Sequence, residues 1–461
     1  MFKDKQFNAD LLRIALPITL QSVIMSLLSM TDQLMVGQLG EVAIAAVGIS
    51  AKLTSIVSVV LAGLATGISI YCAQYWGQRD KVRIRQLLGF GLAGGLLLAG
   101  GLALLVGLFP RWAMSPFTTD ERIFSEGARF VQLLALSYLP AMLTMIYSSV
   151  LRSTGNVKLP MYASSSAVVI NVLLNYLLIF GHFGCPKLGL MGAAIATGLS
   201  RVIELLILLV VAYWQRHVVA VTHLGQLWGM EPGLLRRFGV TALPIVLTEL
   251  LWVLGESGYA VVYGRMGTEE IAAMTMTYPL QGLAIGLLSG LAGAAAVLVG
   301  NRLGAGNFAG AIDYAHKLIR IGIGLALLVG GVVAWLAPHY VALYHTSARV
   351  QHLGQLCVLV FCAFLWVKVA NMIVAGGVLN SGGDSKFVFA MESLATWLIG
   401  VPSGFLMAFY FELPIYWVYL VLSLEELVRL GVGYARVLSR KWVRNLVDEE
   451  QTGREAGWAG A

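Results

Sequence analysis

The sequence predicts an all-α integral membrane protein with twelve transmembrane helices in two pseudo-symmetric six-helix lobes. Composition is the first reason, because the 461 residues are 58% hydrophobic and only 12% charged, whereas ordinary soluble chains carry about 25% charged residues. Hydropathy is the second reason and an internal repeat is the third. Together they exclude a soluble domain with a polar surface.

Twelve apolar segments are long enough to cross a bilayer, which takes about 20 residues. They lie at 12–36, 44–70, 87–109, 127–151, 159–180, 190–213, 238–263, 271–298, 318–337, 353–379, 387–410 and 414–435. The N-terminal MFKDKQFNAD has no cleavable signal pattern, because the first apolar run is too long and lacks a small-residue cleavage site. We therefore expect helix one to remain as an anchor.

The chain repeats itself at an offset of 227 residues. This offset aligns ALPI at 15–18 with ALPI at 242–245, and Gly37 and Gly40 with Gly264 and Gly267. Six helices is an even number, so the halves share one orientation, as in secondary transporters built from parallel repeats. The predicted divisions are an N-terminal lobe, a cytoplasmic linker, a C-terminal lobe and a cytoplasmic tail, at 1–216, 217–233, 234–440 and 441–461.

The net charge of +7 is distributed by side of the membrane. If the N-terminus is cytoplasmic, most lysines and arginines fall on the inner loops, and the outer side holds Arg111, Arg122, Arg129, Lys187, Arg265 and Arg349. Such a bias predicts both termini in the cytoplasm of a cell with this protein in its plasma membrane, the bacterial inner membrane. The basic excess thus predicts topology, and we expect no nucleic-acid partner.

An aspartate interrupts the first apolar helix, in SMTDQLMVGQLG at 29–40. A carboxylate at this depth is costly and is usually functional. Counting helical rise from the cytoplasmic side places Asp32, Asn171, Asn175 and Thr197 at a similar level. Their oxygens are hard ligands for a small cation, and the carboxylate is an alternative site for a proton. The other interpretation is that the asparagines and the threonine only bridge helices.

The second half lacks this aspartate, because the position aligns with Tyr259, but helix seven carries Glu249 and Glu256 instead. Glu249 and Lys368 share a depth near the midplane, and Asn371 lies one turn closer to the cytoplasm. Since an unpaired charge there is expensive, we expect Glu249 and Lys368 to face each other. A purely structural ion pair and a role in coupling both remain open.

Two prolines, Pro17 and Pro244, lie inside the first helix of each half. Each removes a backbone hydrogen bond and favours a kink, so we predict hinges there. The four cysteines form no CxxC pair, the histidines form no HExxH pattern, and no GxxxxGK[ST] occurs. We therefore expect no resident metal, no cofactor and no enzymatic activity.

Several stretches resemble the multidrug and toxic compound extrusion (MATE) family, in particular its DinF-like branch. They are ALPITLQSVIMSLLSMTDQLMVGQLGEVAIAAVGI from residue 15, INVLLNYLLIFGHFGCPKLGLMGAAIATGLSRVIE at 170–204, LPIVLTELLWVLG at 243–255, and LNSGGDSKF and WLIGVP further on. The resemblance implies two lobes with a central cleft, and export of small amphipathic, often cationic compounds in exchange for protons or sodium ions.

The resemblance also implies that the positions around Asp32 form the cation site, with sodium as one candidate ion. This chain departs from members that have a second acid, because Asn175 stands there. The family places a functional acid on helix seven, for which Glu249 and Glu256 compete. We expect a monomer in the lipid bilayer.

A lipid-linked precursor flippase of the same superfamily is the alternative function. It would favour a strongly cationic cleft, whereas the intramembrane cations are few, namely Lys52, Arg201, Lys368 and Arg429. A membrane-embedded enzyme would need a catalytic cluster near one interface, and the sequence contains none. A secondary exporter therefore remains the first prediction. Substrate identity and the choice between proton and sodium do not follow from the sequence.

Overall fold

A computed structural model of the chain describes residues 4–115, 121–227, 229, 232–344 and 346–448. Within these ranges the long elements are all helices and no β-strand occurs. The α-helices are α1 Lys5–Gly37, α2 Glu41–Gly77, α3 Lys81–Leu108, α4 Pro110–Met114, α5 Glu121–Ala135, α6 Tyr138–Ser153, α7 Lys158–Phe180, α8 Leu190–Trp214, α9 Pro232–Met266, α10 Thr268–Gly304, α11 Phe308–Ala342, α12 Ala348–Asn371, α13 Ser385–Leu394, α14 Val401–Phe405 and α15 Ile415–Leu438.

The helices account for the twelve predicted spans. Ten helices of the described residues are long and apolar enough to cross a membrane, and the bent pair α5 and α6 makes an eleventh. The twelfth predicted span coincides with α15, in which every stretch of 18 residues contains the three charges of Glu425, Glu426 and Arg429. The predicted all-α membrane fold is confirmed.

The fourth span is broken rather than continuous. α5 and α6 meet at an angle of 42°. Pro140 is the third residue of α6, and a proline there has no N–H group to continue the hydrogen bonding of a preceding helix. The apolar run at 127–151 therefore forms two helices, although its hydropathy resembles that of a single one.

The internal repeat is visible in the helix boundaries. α2 and α10 both have 37 residues, and both their first and last residues differ by 227 in number. Gly40 and Gly267 precede these helices with φ values of 106° and 150°, where L-residues with a side chain are strained. The two glycines therefore fix the same turn in each half.

The chain forms two compact units. Residues Leu20–Ala242 form one, the N-terminal unit, and Met1–Thr19 with Leu243–Ala461 form the other, the C-terminal unit. The changes of unit fall within α1 and α9, two residues after Pro17 and one residue before Pro244. The first helix of each repeat is thus divided between the two units, and the point of division lies close to the internal proline of that helix.

The two divided segments are each held by specific contacts. In the C-terminal unit the Phe7 ring packs edge-on against Tyr314 with centroids 4.7 Å apart, and Asp4 lies 2.7 Å from the Lys317 ammonium. In the N-terminal unit the hydroxyls of Tyr71 and Thr241 are 3.1 Å apart. These contacts fix the start of α1 and the start of α9 in different units.

The helices of the C-terminal unit contain irregular turns. π-helical segments cover Met372–Leu379, Ala395–Gly400 and Leu406–Tyr410, and no such segment occurs among the described residues 20–227. Pro402 separates the second segment from the third. π-helical turns are frequent at functional sites, and two of these segments flank the polar residues described below.

Part of the predicted domain division lies outside the described residues. This applies to 228, 230 and 231 of the predicted linker 217–233 and to 449–461 of the predicted tail 441–461. The predicted lobe boundaries at 216 and 234 stay predictions.

Candidate functional site

The predicted polar residues of the N-terminal unit lie together. α1 contributes Asp32, α7 contributes Asn171 and Asn175, and α8 contributes Thr197. The two asparagines are four residues apart, so they share one face of α7. Both are nearly fully buried, at 3% and 2% exposure. The four side chains therefore meet inside one helical unit.

Asn175 organises this group. Its Nδ2 donates a hydrogen bond to Asp32 Oδ1 at 2.8 Å and another to Asn171 Oδ1 at 3.0 Å. The Asn175 Oδ1 atom is buried and has no hydrogen-bond partner among the described residues. Thr197 donates to the Ala193 carbonyl at 2.9 Å, which leaves the lone pairs of its hydroxyl available to a cation.

A small pocket opens beside these groups. Asp32, Asn171 and Thr197 line it, together with the ion pair of Arg201 and Glu204. This ion pair is bridged by a hydrogen bond of 2.8 Å, so its charges compensate each other. Asp32, by contrast, accepts a hydrogen bond from the Asn175 amide and has no cation within ion-pair distance among the described residues.

The pocket offers oxygen ligands of the kind that hard cations prefer, namely a carboxylate, amide oxygens and a hydroxyl. No group of three or more His, Cys, Asp or Glu side chains suited to a resident metal occurs in the described part of the chain. The oxygen atoms of this pocket are thus suited to a proton or a hard cation.

The C-terminal unit contains a different kind of polar group, a cluster of buried charges. Lys368 of α12 pairs with Glu426 of α15 at 3.0 Å. Asn371 donates to Glu426 Oε2 at 2.8 Å and to the Glu426 carbonyl at 2.9 Å. Glu426 thus accepts hydrogen bonds from two residues of α12, which joins these two helices.

Arg429 extends the cluster to two further acids. Its guanidinium lies 3.4 Å from Glu426, 3.7 Å from Glu425 and 3.6 Å from Glu392. The Tyr259 hydroxyl donates to Glu425 at 2.7 Å. Three acids and two cations therefore contact one another within this unit, and the hydrogen-bond capacity of Glu425 and Glu426 is largely used.

The expected pairing of Glu249 with Lys368 is wrong. Lys368 pairs with Glu426 instead, while Glu249 has no ion pair or side-chain hydrogen bond within the described residues. The prediction used depth in the membrane alone, and a shared depth does not determine which way two side chains point around their helix axes. Glu256 does line a pocket with Lys368, Glu425 and Glu426.

That pocket is lined by both aromatic and charged side chains. Trp252, Tyr259 and Tyr278 line it together with Glu256 and members of the cluster. Trp252 and Tyr278 are each 44% exposed. Aromatic faces next to a carboxylate attract organic cations. The two acids predicted on helix seven lie on α9 in the structure. Of these, Glu256 is exposed and lines the pocket, whereas Glu249 is half-buried.

Glu392 and Glu426 were not identified from the sequence, and Arg429 was identified only as one of the few intramembrane cations. The signal was present, because the apolar segment 414–435 carries three charges in the short run EELVR. Charges inside a membrane helix usually pair with one another within the bundle. Counting acids and cations over the whole half, rather than one helix at a time, would have suggested a shared cluster.

The repeat of membrane helices and the polar sites inside each half define a membrane transport protein of the parallel-repeat type. The family model MatE matches the chain twice, over residues 17–177 and 244–406. The two matches start 227 residues apart, which is the offset of the internal repeat. The chain belongs to the MatE family, a family of membrane transporters.

Relatives of the chain match over nearly its whole length. It is 28% identical over 420 residues to the probable multidrug resistance protein NorM of Burkholderia pseudomallei, covering 87% of this chain and 86% of that one. It is 27% identical over 451 residues to the probable multidrug resistance protein NorM of Bradyrhizobium diazoefficiens, covering 94% of each. The uncharacterized transporter YisQ of Bacillus subtilis is 22% identical over 442 residues, with 96% of each chain covered.

Solved structures support the fold. A mutant of the Vibrio cholerae MATE transporter VcmN superposes with a TM-score of 0.88 at 19% identity, covering 97% of this chain and 99% of that one. An outward-facing MATE family transporter of the MOP superfamily superposes with a TM-score of 0.86 at 20% identity, covering 95% and 96%. At these identities the likeness concerns the fold.

Proposed function

We propose that this transporter is a secondary active multidrug exporter, which moves small amphipathic and often cationic compounds out of the cell in exchange for protons or sodium ions. The observation that carries the proposal is the Asp32 group, where a carboxylate that accepts a hydrogen bond from the Asn175 amide borders a pocket. The NorM relatives are named probable multidrug resistance proteins, which supports multidrug export.

The coupling ion binds at Asp32 in this proposal, and Asn171, Asn175 and Thr197 supply further oxygen ligands. Occupancy changes the charge of the site by one unit, so the ion stabilises one helix arrangement over another. Pro17 and Pro244 act as hinges, because each lies within three residues of the point where its helix passes from one compact unit to the other.

The protein lies in the bacterial plasma membrane with both termini in the cytoplasm in this proposal, as the distribution of basic residues predicts. Of the two acids Glu249 and Glu256, Glu256 is the one that lines this pocket of the C-terminal unit, and its aromatic neighbours suit flat cations. Lys368 and Asn371 hold Glu426 in place beside that pocket.

Export of a fluorescent cation from reconstituted vesicles tests the proposal, with proton and sodium gradients imposed separately. Asp32→Asn keeps the shape and one oxygen but removes the charge, so export should fall to the level of empty vesicles while equilibrium binding of the cation in detergent is retained. Asp10→Asn, the same change on the same helix away from the pocket, is the matched control. Export at the parental rate by Asp32→Asn under both gradients would falsify the assignment.

A further inference from the structure

A second cavity in the N-terminal unit is lined by a polar stripe of α6. Thr144, Ser148 and Arg152 follow one another at four-residue intervals on this helix, so they project from one face. All three line the cavity, which has a volume of about 250 Å³. Neither Asp32 nor the two asparagines of the Asp32 group line it.

Arg152 is the uncompensated charge of this cavity. Its guanidinium has no ion pair or hydrogen bond among the described residues, whereas Arg201 and Glu204, which also line the cavity, pair with each other at 2.8 Å. The charged side chains of the wall therefore sum to one positive charge. A cation in a helix bundle normally has a partner, so the cavity favours an anion.

Thr144 provides a second, independent observation. It is 6% exposed, and its hydroxyl oxygen has no hydrogen-bond partner among the described residues. Other hydroxyls of the unit bond the carbonyl four residues earlier, as Ser153 does with Ser149 and Ser164 with Pro160. A buried hydroxyl without a partner is costly, and this one lines the cavity, where a ligand can bond it.

The rest of the wall describes the ligand. Leu61, Ala141 and Met145 give the cavity apolar sides. Thr144 and Arg152 are eight residues apart, which corresponds to about 12 Å along the helix. A guanidinium binds a carboxylate with two parallel hydrogen bonds, which a spherical anion cannot accept.

We propose that this cavity binds a small amphipathic carboxylate, with the carboxylate on Arg152, the apolar body between α2 and α6, and a hydrogen-bond acceptor at its far end on the Thr144 hydroxyl. This site goes beyond the proposed cation-coupled export and does not depend on it.

Equilibrium binding to the purified full-length protein, in detergent and without any gradient, tests the site. The probe is 6-methoxy-2-naphthoate, which is fluorescent and carries an ether oxygen opposite its carboxylate. Since hydrogen bonds to a charged group are stronger than those between neutral groups, Arg152→Gln should weaken its binding about tenfold or more. The neutral 6-methoxy-2-naphthamide should bind weakly to parent and variant alike, and Arg236→Gln, an exposed arginine outside the cavity, should change nothing.

The far end of the site has its own variant. Thr144→Val should weaken the binding of 6-methoxy-2-naphthoate about threefold, as expected for one neutral hydrogen bond. The binding of 2-naphthoate, which lacks the ether oxygen, should not change. This variant removes a hydroxyl without a partner, so it should fold with an unchanged or higher melting temperature, and it decides the matter if Arg152→Gln does not fold.

Three results would overturn the proposal. One is equal binding of the acid and the amide to the parent protein. Another is undiminished binding of the acid to a folded Arg152→Gln variant, or to Thr144→Val. The third is full competition by millimolar chloride, which would show that Arg152 binds a free halide ion instead of a carboxylate. Asp32→Asn should bind the probe like the parent, so failure of the export proposal would leave this result untouched.

Discussion

The N-terminal and C-terminal units derive from one repeated sequence, yet they solve the problem of charge in a membrane in different ways. In the N-terminal unit Asp32 accepts a hydrogen bond from the Asn175 amide and has no cation within ion-pair distance among the described residues. In the C-terminal unit Glu426 is bonded to Lys368, Asn371 and Arg429. The helices repeat at 227 residues, but the polar chemistry inside them does not.

This difference predicts different roles. A carboxylate with neutral partners changes the charge of its site when it takes up or loses a cation, so it can exchange that ion readily. A cluster of three acids and two cations already satisfies most of its own charge, and breaking such a network leaves a charge unpaired in a medium of low dielectric constant. We therefore expect exchange in the N-terminal unit and stability in the cluster of the C-terminal unit.

The largest expected effect comes from removing the centre of the cluster. Glu426→Gln leaves Lys368 without its ion pair and Arg429 with only its longer contacts, at 3.6 and 3.7 Å. Breaking a buried ion pair costs about 3–5 kcal/mol, so the variant should lose much of its folded yield. Thermal unfolding in detergent measures the loss of stability, and size-exclusion chromatography measures the folded yield.

Glu249→Gln is the matched control, because it makes the same change to an acid of the same unit that has no ion pair among the described residues. Its unfolding should differ from that of the parent by no more than about 0.5 kcal/mol. Adding Lys368→Met to Glu426→Gln should recover part of the loss, since the second change removes the orphaned charge. Strict additivity of the two changes would show that the ion pair does not contribute to stability, and a large effect of Glu249→Gln would remove the contrast between the two acids.

The next prediction places a second acid next to Asp32. Asn175→Asp replaces the amide that donates to Asp32 at 2.8 Å by a carboxylate, and two neighbouring carboxylates repel unless a cation or proton lies between them. The variant should be destabilised by about 1–3 kcal/mol in choline chloride and should regain most of this in sodium chloride of equal ionic strength. Equal melting temperatures in the two salts would indicate that no sodium ion reaches this position.

Much of the fold could be predicted from the sequence, because the physics involved is local and cumulative. About 20 apolar residues identify a span, and a repeat with Gly40 and Gly267 at equivalent turns identifies two halves. What the sequence did not provide is rotation about the helix axes. The depth of Lys368 was sufficient to predict that it needs an acid, but the choice of Glu426 over Glu249 depends on how α9, α12 and α15 pack.

The Asp32 group was easier to predict than the cluster for a physical reason. Asn171 and Asn175 share one face of α7 by their spacing alone, and a lone acid in an apolar helix indicates a site without any knowledge of packing. The division of α1 and α9 between two compact units had no such signal, because Pro17 and Pro244 indicate a kink but do not indicate which neighbours each half of the helix contacts.

The smallest expected effect concerns acid stability at the connection that follows α8 in the N-terminal unit. Burial, with a lesser contribution from the charge of Lys81, lowers the pKa of His217 from its ordinary 6.5 to about 4. His217 Nδ1 is buried without a hydrogen-bond partner among the described residues, so the folded protein holds the neutral ring. Above pH 6.5 both states are neutral at this residue and it has no effect on the pH dependence. As the pH falls from about 6.5 to about 4 the unfolded chain takes up the proton first, so stability is lost over that window.

Melting temperatures measured between pH 7 and pH 4 should therefore fall less steeply in His217→Gln than in the parent. His223→Gln changes an exposed histidine of the same connection and should behave like the parent. If His217→Gln follows the parental curve, the acid sensitivity lies in another group, and the charge cluster around Glu426 becomes the next place to look.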